Sequence, residues 1–316
     1  MLKLQTTIPL KPSKNTIDHN SKVLLVGSCF VENMGGKLEY FKFQNSINPL
    51  GILFHPTVIS RFFERIQKQE FFTKEDLVFY NERWHCLDAH SQMSGSDPEI
   101  VLNDLNTALK ESLALLQNAT HVIITLGTAW GYRYKKTEKL VANCHKIPQQ
   151  EFDKELAKID AIYADLSSIL THLKAINPNI NVLFTVSPVR HLKDGFVENQ
   201  RSKAHLISAV HSIVENEKQT EYFPSYEIMM DELRDYRFYA RDLLHPNALA
   251  VDYIWEKFAS VYLSPQAQQW SVKIDEVQKA MAHRPFDATS NAHVQFLKNL
   301  ECKKVQIQEN LPNIRF

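Results

Sequence analysis

Residues 23–38 read VLLVGSCFVENMGGKL. The run Val23–Val26 is apolar throughout and stops at Gly27, which predicts a buried strand ending in a tight turn. The residues after the turn begin a helix. Two further runs have the same form: HVIITLG at 121–127 and NVLFTVS at 181–187. A weaker one is YFKFQN at 40–45. Three of the four end in Gly or Ser, where a chain must turn. Long helical patterns lie between them. Phe152, Leu156, Ile159, Tyr163, Leu166, Ile169, Leu170 and Leu173 recur at helical spacing and predict a helix over 152–176, stopped by Pro178. Residues 99–117 and 203–214 read similarly. Strands alternating with helices of this length imply right-handed crossovers and a parallel sheet covered on both faces.

Two segments interrupt the alternation. Residues 76–90 (DLVFYNERWHCLDAH) predict an aromatic hairpin around Asn81-Glu82, and residues 131–142 (GYRYKKTEKLVA) a more polar one. Each either shapes a pocket or covers a sheet edge. Beyond residue 264 the pattern changes. Ser264-Pro265 is a helix start. Trp270, Ile274, Val277 and Met281 then form one apolar stripe, which reads as a packing face. His283-Arg284-Pro285 breaks it, and a shorter helix is expected to about residue 302, completing a C-terminal helical hairpin.

The 36 basic and 36 acidic residues of the 316 cancel, so no net field favours nucleic acid or an anionic membrane. With 44% apolar residues a chain of this length builds a full core without staples. The first twenty residues lack the apolar centre of a signal peptide, and no run approaches the roughly 20 apolar residues of a membrane helix. A cytoplasmic protein is expected. Cys29, Cys86, Cys144 and Cys302 are widely spaced without CxxC pairing, so they read as free thiols, with no metal site. The oligomeric state is not legible.

In an open parallel sheet, ligands bind at the carboxyl ends of the strands. The first strand ends in Gly27-Ser28-Cys29. There the side chains meet the unpaired N–H groups of a helix start, a setting that stabilises a thiolate or a developing oxyanion. Ser28 and Cys29 compete as nucleophile; the bland alternative is a capping serine and a buried cysteine. The second feature is RDLLHPN at 241–247. An Asp three residues before a His can orient the imidazole and favour its protonated form in a transition state, so Asp242 and His245 are candidate orienter and base. Arg190 and His191 in SPVRH (187–191) end another strand and should face the same cleft. Arg190 either holds a substrate carboxylate or phosphate or pairs with an acid such as Asp242. Thr128 and Ser187 also end strands.

A strand followed by a G-D-S-type turn, with a terminal D-x-x-H, resembles the SGNH hydrolase superfamily. Within it, VLLVGSCFVENMGGKL resembles the opening motif of the GSCFA family. NPLGILFHP (48–56), TLGTAWGY (125–132), NCHKIP (143–148) and SPVRH are similar to that family's segments, and the resemblance covers about residues 20–260. It implies a three-layer α/β/α fold with a mostly parallel five-stranded sheet of flavodoxin-like kind; with the change of pattern after residue 264, the α/β domain is expected over 1–264 and residues 265–316 as a helical extension packed on it. It also implies hydrolysis of an ester, thioester or acetyl group, or acyl transfer, without metal or organic cofactor. The substrate would be a small molecule or carbohydrate ester.

Two departures qualify the implied site. In a gapless comparison Ser28 takes the Asp position and Cys29 the nucleophile position, whereas a shift of one residue restores Ser28. The superfamily's G-x-N-D block reads Gly127-Thr128-Ala129-Trp130, so the oxyanion-hole Asn is missing at Ala129. Substitute donors are sought at Asn48 and Gly51, where the superfamily places a backbone N–H, at Gly127 and Thr128, and at Asn143 and His145. The altered block also leaves room for a non-catalytic ligand-binding protein on the same fold.

Overall fold

Val23–Val26 lie in strand β1 (Lys22–Gly27), buried on both faces. Leu24 and Val26 enter one core, Val23 and Leu25 the other, as the two-residue period of a strand requires. The computed structural model describes residues 5–316. From β1 the chain enters helix α1 (Phe30–Tyr40) and β2 (Gln44–Ile47). There follow α2 (Pro56–Lys68), the hairpin β3 (Leu77–Tyr80) and β4 (Arg83–Cys86), α3 (Pro98–Leu116) and β5 (His121–Leu126). A second insertion holds β6 (Trp130–Tyr134), β7 (Lys139–Leu140) and β8 (Phe152–Leu156). The α/β alternation resumes with α4 (Ile159–Ile176), β9 (Asn181–Val186), α5 (Phe196–Asn216) and β10 (Thr220–Phe223). The one-turn α6 (Ser225–Glu227), α7 (Ala248–Tyr262), α8 (Pro265–Ala282) and α9 (Asn291–Asn310) complete it.

The central sheet has the order β10-β9-β5-β1-β2, and every pair is parallel. Apolar residues of α2, α3, α4 and α5 pack on one face. Those of α1 and α7 pack on the other. This is the expected three-layer arrangement. The strand order reverses between β1 and β5, because the chain leaves β1 toward β2 and returns on the opposite side. The carboxyl ends of those two strands are where an open parallel sheet places its ligand crevice, and Ser28 and Gly127 lie there.

Several expected boundaries are corrected. The strand expected at 40–45 starts later: α1 continues through Tyr40, Lys42 turns with φ 64°, and β2 runs from Gln44 to Ile47. Phe43 is buried as a turn residue. The helix expected over 152–176 is two elements. Phe152–Leu156 pairs antiparallel with Trp130–Tyr134, and only α4 is helical. Phe152 and Leu156 satisfy a two-residue as well as a helical period, so the partner strand decides. The polar hairpin 131–142 is therefore a three-stranded sheet, β7-β6-β8. The fifth central strand, β10, is four residues long and has no sequence signal of its own. The last helix is longer than expected, ending at Asn310. It packs with α8 through Ile274, Val277, Leu300 and Ile307. Tyr40 joins this pair to α1, donating its hydroxyl to Asp275 (2.9 Å) and accepting from Gln278 at its carbonyl (2.8 Å).

His55 ties the first βα segment to the end of β5. It caps α2, its Nδ1 accepting from the Thr57 amide (3.3 Å), and its Nε2 faces the Ala129 carbonyl at 3.3 Å. Burial lowers its pKa from the ordinary 6.5 to about 4. Between those values the unfolded chain binds a proton that the native ring does not, so stability falls as pH drops through the window. The loss should reach about 3 kcal/mol for this ring. Urea unfolding at pH 7 and pH 4.5 measures it. His55→Asn keeps a capping oxygen and does not titrate, and its pH slope should be smaller by close to one proton.

Candidate active site

Gly27 ends β1 with φ 152°, and a Cβ there would lie 2.2 Å from the Thr125 carbonyl oxygen of β5. Only glycine allows this approach. Asn48 (φ 45°) holds the turn: its Oδ1 accepts from the Gly27 amide (2.8 Å). Leu53 donates to the Gly27 carbonyl (3.1 Å). The Gly51 amide is engaged with the Asn48 carbonyl at 2.7 Å, so it is not the free donor expected from the sequence. The Asn48 Nδ2 is buried without a partner.

Ser28 and Cys29 occupy different environments. Ser28 is buried, its amide donates to Thr125 O (3.0 Å), and its Oγ has no partner. Cys29 is half-buried at the first position of the helix start. Burial, then Glu32, raises the thiol pKa, whereas Lys203 and the backbone N–H groups of Cys29 and Phe30 favour the thiolate. The net direction is up.

The far side of the crevice is built from the ends of β5 and β9. A Cβ on Gly127 would stand 2.6 Å from Phe54 Cβ, 3.3 Å from Ser28 Cβ and 3.5 Å from His191 Nε2. These side chains thus converge on the bare glycine. His191 Nε2 is buried and unpartnered, and its amide is held by Asn199 Oδ1 (2.9 Å). Burial, with the charges of Lys203 and His245, lowers the His191 pKa to about 4. The imidazole is therefore neutral at pH 7. Beneath it Lys203 is fully buried, its Nζ donating to the Gly127 and Ser187 carbonyls at 2.7 Å each. Burial lowers this ammonium to about 7, opposed by Cys29. Lys203 is not among the candidates read from the sequence. A signal for it exists: it shares a helical face with Leu206 and Val210, where a lysine is out of place.

The candidate base and its candidate orienter, His245 and Asp242, come from the loop before α7. Asp242 Oδ2 lies 2.6 Å from His245 Nδ1, and Oδ1 accepts from the amides of Leu244 (2.9 Å) and His245 (3.0 Å). The two backbone donors, then the ring, hold the Asp242 pKa down to about 2. The loop is fastened across its neck, with Ala240 donating to His245 O (2.7 Å) and Asn247 to Phe238 O (2.9 Å). Leu243 takes the left-handed conformation (φ 61°) to make the reversal. His245 is half-exposed.

Three further candidates have polar atoms engaged within the fold. The Thr128 hydroxyl meets Ser202 Oγ (2.9 Å) and accepts from the Trp130 amide (3.0 Å). Asn143 Oδ1 accepts from the His145 amide (2.8 Å). His145 Nε2 meets Cys86 O (2.9 Å), and its ring packs on His85 at 4.6 Å between centroids. The 143–148 segment therefore fastens the second insertion to the β3–β4 hairpin. Arg190 does not pair with Asp242. Its Nη2 faces the Met230 sulfur at 3.0 Å. Among the described residues no group of three or more His, Cys, Asp or Glu is placed to hold a metal.

A family model described as GSCFA family matches residues 22–258, and one described as GSCFA domain protein, C-terminal domain, matches 274–316. No curated protein matches the chain. Among solved structures, a carbohydrate esterase family 3 from Talaromyces cellulolyticus aligns at TM-score 0.37 and 10% identity, over 80% of this chain and 98% of that one. A family 3 carbohydrate esterase from Clostridium thermocellum aligns at TM-score 0.36 and 10% identity, over 83% and 99%. An acetyl xylan esterase from the rumen bacterium Butyrivibrio proteoclasticus aligns at TM-score 0.40 and 9% identity, over 84% and 67%.

Proposed function

The chain belongs to the GSCFA family, and on that footing we propose that it is an esterase-type hydrolase of SGNH kind, cleaving an ester, thioester or acetyl group with Cys29 as nucleophile, His245 as base and Asp242 as orienter. One observation carries the reading: Asp242 holds His245 Nδ1 at 2.6 Å while two backbone amides fix the carboxylate. This pairing leaves Nε2 as the nitrogen that exchanges a proton. The half-buried position of Cys29 supports its choice over Ser28, which is 2% exposed and whose amide is engaged.

In this mechanism His245 takes the thiol proton as Cys29 Sγ bonds to the carbonyl carbon. The oxyanion forms near the N–H groups of Cys29 and Phe30, at the positive end of α1. Neutral His191, in its Nε2–H tautomer, supplies the side-chain donor that Ala129 lacks. The bond to the leaving oxygen, or to the leaving sulfur of a thioester, then breaks, and the leaving alcohol or thiol takes the proton from His245. A water gives a proton to His245 and its oxygen to the acyl carbon, the bond from that carbon to Cys29 Sγ breaks, and His245 returns the proton to the sulfur, leaving the acid and the free thiol. An alcohol in place of that water makes the same site an acyltransferase. Because Asp242 is ionised above about pH 2, it supports the imidazolium at every working pH. The test is turnover of 4-nitrophenyl acetate by the wild type and by His245→Ala with its circular dichroism unchanged. Loss of about 10³-fold or more is expected, and full activity in the variant overturns the proposal.

A further inference from the structure

We propose that the cavity lined in part by Asp242, the partner of His245, selects esters carrying an oxyanion, a carboxylate or a phosphate, with Arg190 as the group that binds it. The inference rests on the esterase reading above. The cavity has a volume of about 460 Å³ and is walled by Arg190, Phe196, Met230, Tyr236, Tyr239 and Asp242 among others. That is the size of an ordinary small-molecule site. Its other charges already have partners: Arg234 holds Asp231 at 2.9 Å, Asp235 holds Arg237 at 2.9 Å, and Asp242 holds His245.

Arg190 alone among these has no carboxylate within ion-pair distance among the described residues. A thioether is the one acceptor of its Nη2, and its Nε is buried without a partner. A half-buried guanidinium in this state carries a desolvation cost that no protein anion offsets. Its planar fork suits the two oxygens of a carboxylate or phosphate. Its charge also reaches the Tyr226 and Tyr239 phenols, where it opposes the upward push of burial. Phe196 and Tyr236, 65% and 74% exposed, give the mouth an apolar rim. The favoured substrate therefore joins an apolar or aromatic body to an oxyanion at a distance from its ester bond.

The experiment compares three esters: neutral 4-nitrophenyl acetate, 4-nitrophenyl hydrogen glutarate with its anion on the acyl side, and 4-acetoxybenzoate with its anion on the leaving side. Binding of glutarate and of inorganic phosphate is followed in parallel by calorimetry. In Arg190→Gln the kcat/KM ratio of the preferred anionic ester to the neutral one is expected to fall about 100-fold. Arg190→Lys, which keeps the charge and loses the fork, should fall between. Glutarate or phosphate binding should weaken in step, and which of the two does so names the oxyanion. Ratios and binding that ignore Arg190 overturn this inference while leaving the esterase reading intact. If the wild type cleaves none of the esters, the binding arm decides: binding that requires Arg190 supports the inference, and binding that is absent or independent of Arg190 overturns it.

Discussion

Cys29→Ala is expected to lower turnover of 4-nitrophenyl acetate by about 10⁴-fold or more, whereas Ser28→Ala stays within about tenfold of wild type. The two residues are adjacent, yet their surroundings differ. Ser28 is still in the packed turn after β1, with its amide on Thr125 O and its hydroxyl sealed from solvent. Cys29 stands half-buried at the helix start, where the backbone N–H groups of Cys29 and Phe30 favour its thiolate. A nucleophile needs access, and of the two residues Ser28 is 2% exposed while Cys29 is only half-buried. Ser28→Ala removes a buried hydroxyl without a partner, so it should also raise stability slightly. Iodoacetamide should modify Cys29 and block turnover, and a fluorophosphonate should leave Ser28 unlabelled. Turnover that survives in Cys29→Ala but is lost in Ser28→Ala would move the nucleophile to the serine.

Asp242→Asn is expected to reduce kcat by about 10³- to 10⁴-fold with little change in KM. The carboxylate accepts three N–H groups, two from the backbone and one from the His245 ring. An amide side chain keeps the backbone bonds through its oxygen but turns an N–H toward Nδ1. The ring then adopts the wrong tautomer, with the proton at Nε2, where a base must be free to accept. Asp242→Ala removes the loop's internal acceptors as well, so it should lose comparable activity together with order in residues 242–245. Steady-state kinetics of both variants, with near-wild-type urea midpoints for Asp242→Asn, check the expectation. An Asp242→Asn enzyme with unchanged kcat would remove Asp242 from the mechanism.

The legible parts of this molecule are those dictated by short-range pattern. Val23–Val26, Val122–Ile124 in HVIITL and the run NVLFTV are apolar because both faces of a central parallel strand are covered. Asp242 and His245 are legible because a spacing of three residues in one loop suffices to bring them together. What pairs with a distant partner is not legible. Phe152–Leu156 has an apolar spacing that fits both the helical and the strand period, and β6 supplies the difference. Thr220–Phe223 is too short to announce itself and is a strand because β9 is beside it.

Local sequence is enough to end a buried strand at Gly27 with a helix start behind it, and to set Asp242 and His245 in one loop. Both follow from local geometry: a backbone approach that only glycine permits, and an i, i+3 spacing within a turn. The rest of the site depends on long-range packing. Gly51, Gly127, Thr128 and His145 are candidate donors as a sequence, but the folded chain engages the two amides, the hydroxyl and the ring elsewhere, and uses the Asn143 oxygen to hold the His145 amide. Lys203 reaches the floor of the crevice, and His191 keeps a bare nitrogen beside Gly127, because α5 packs against the ends of β5 and β9. Hydrogen-bond satisfaction is a property of the folded whole, so no single segment carries enough information to assign those roles.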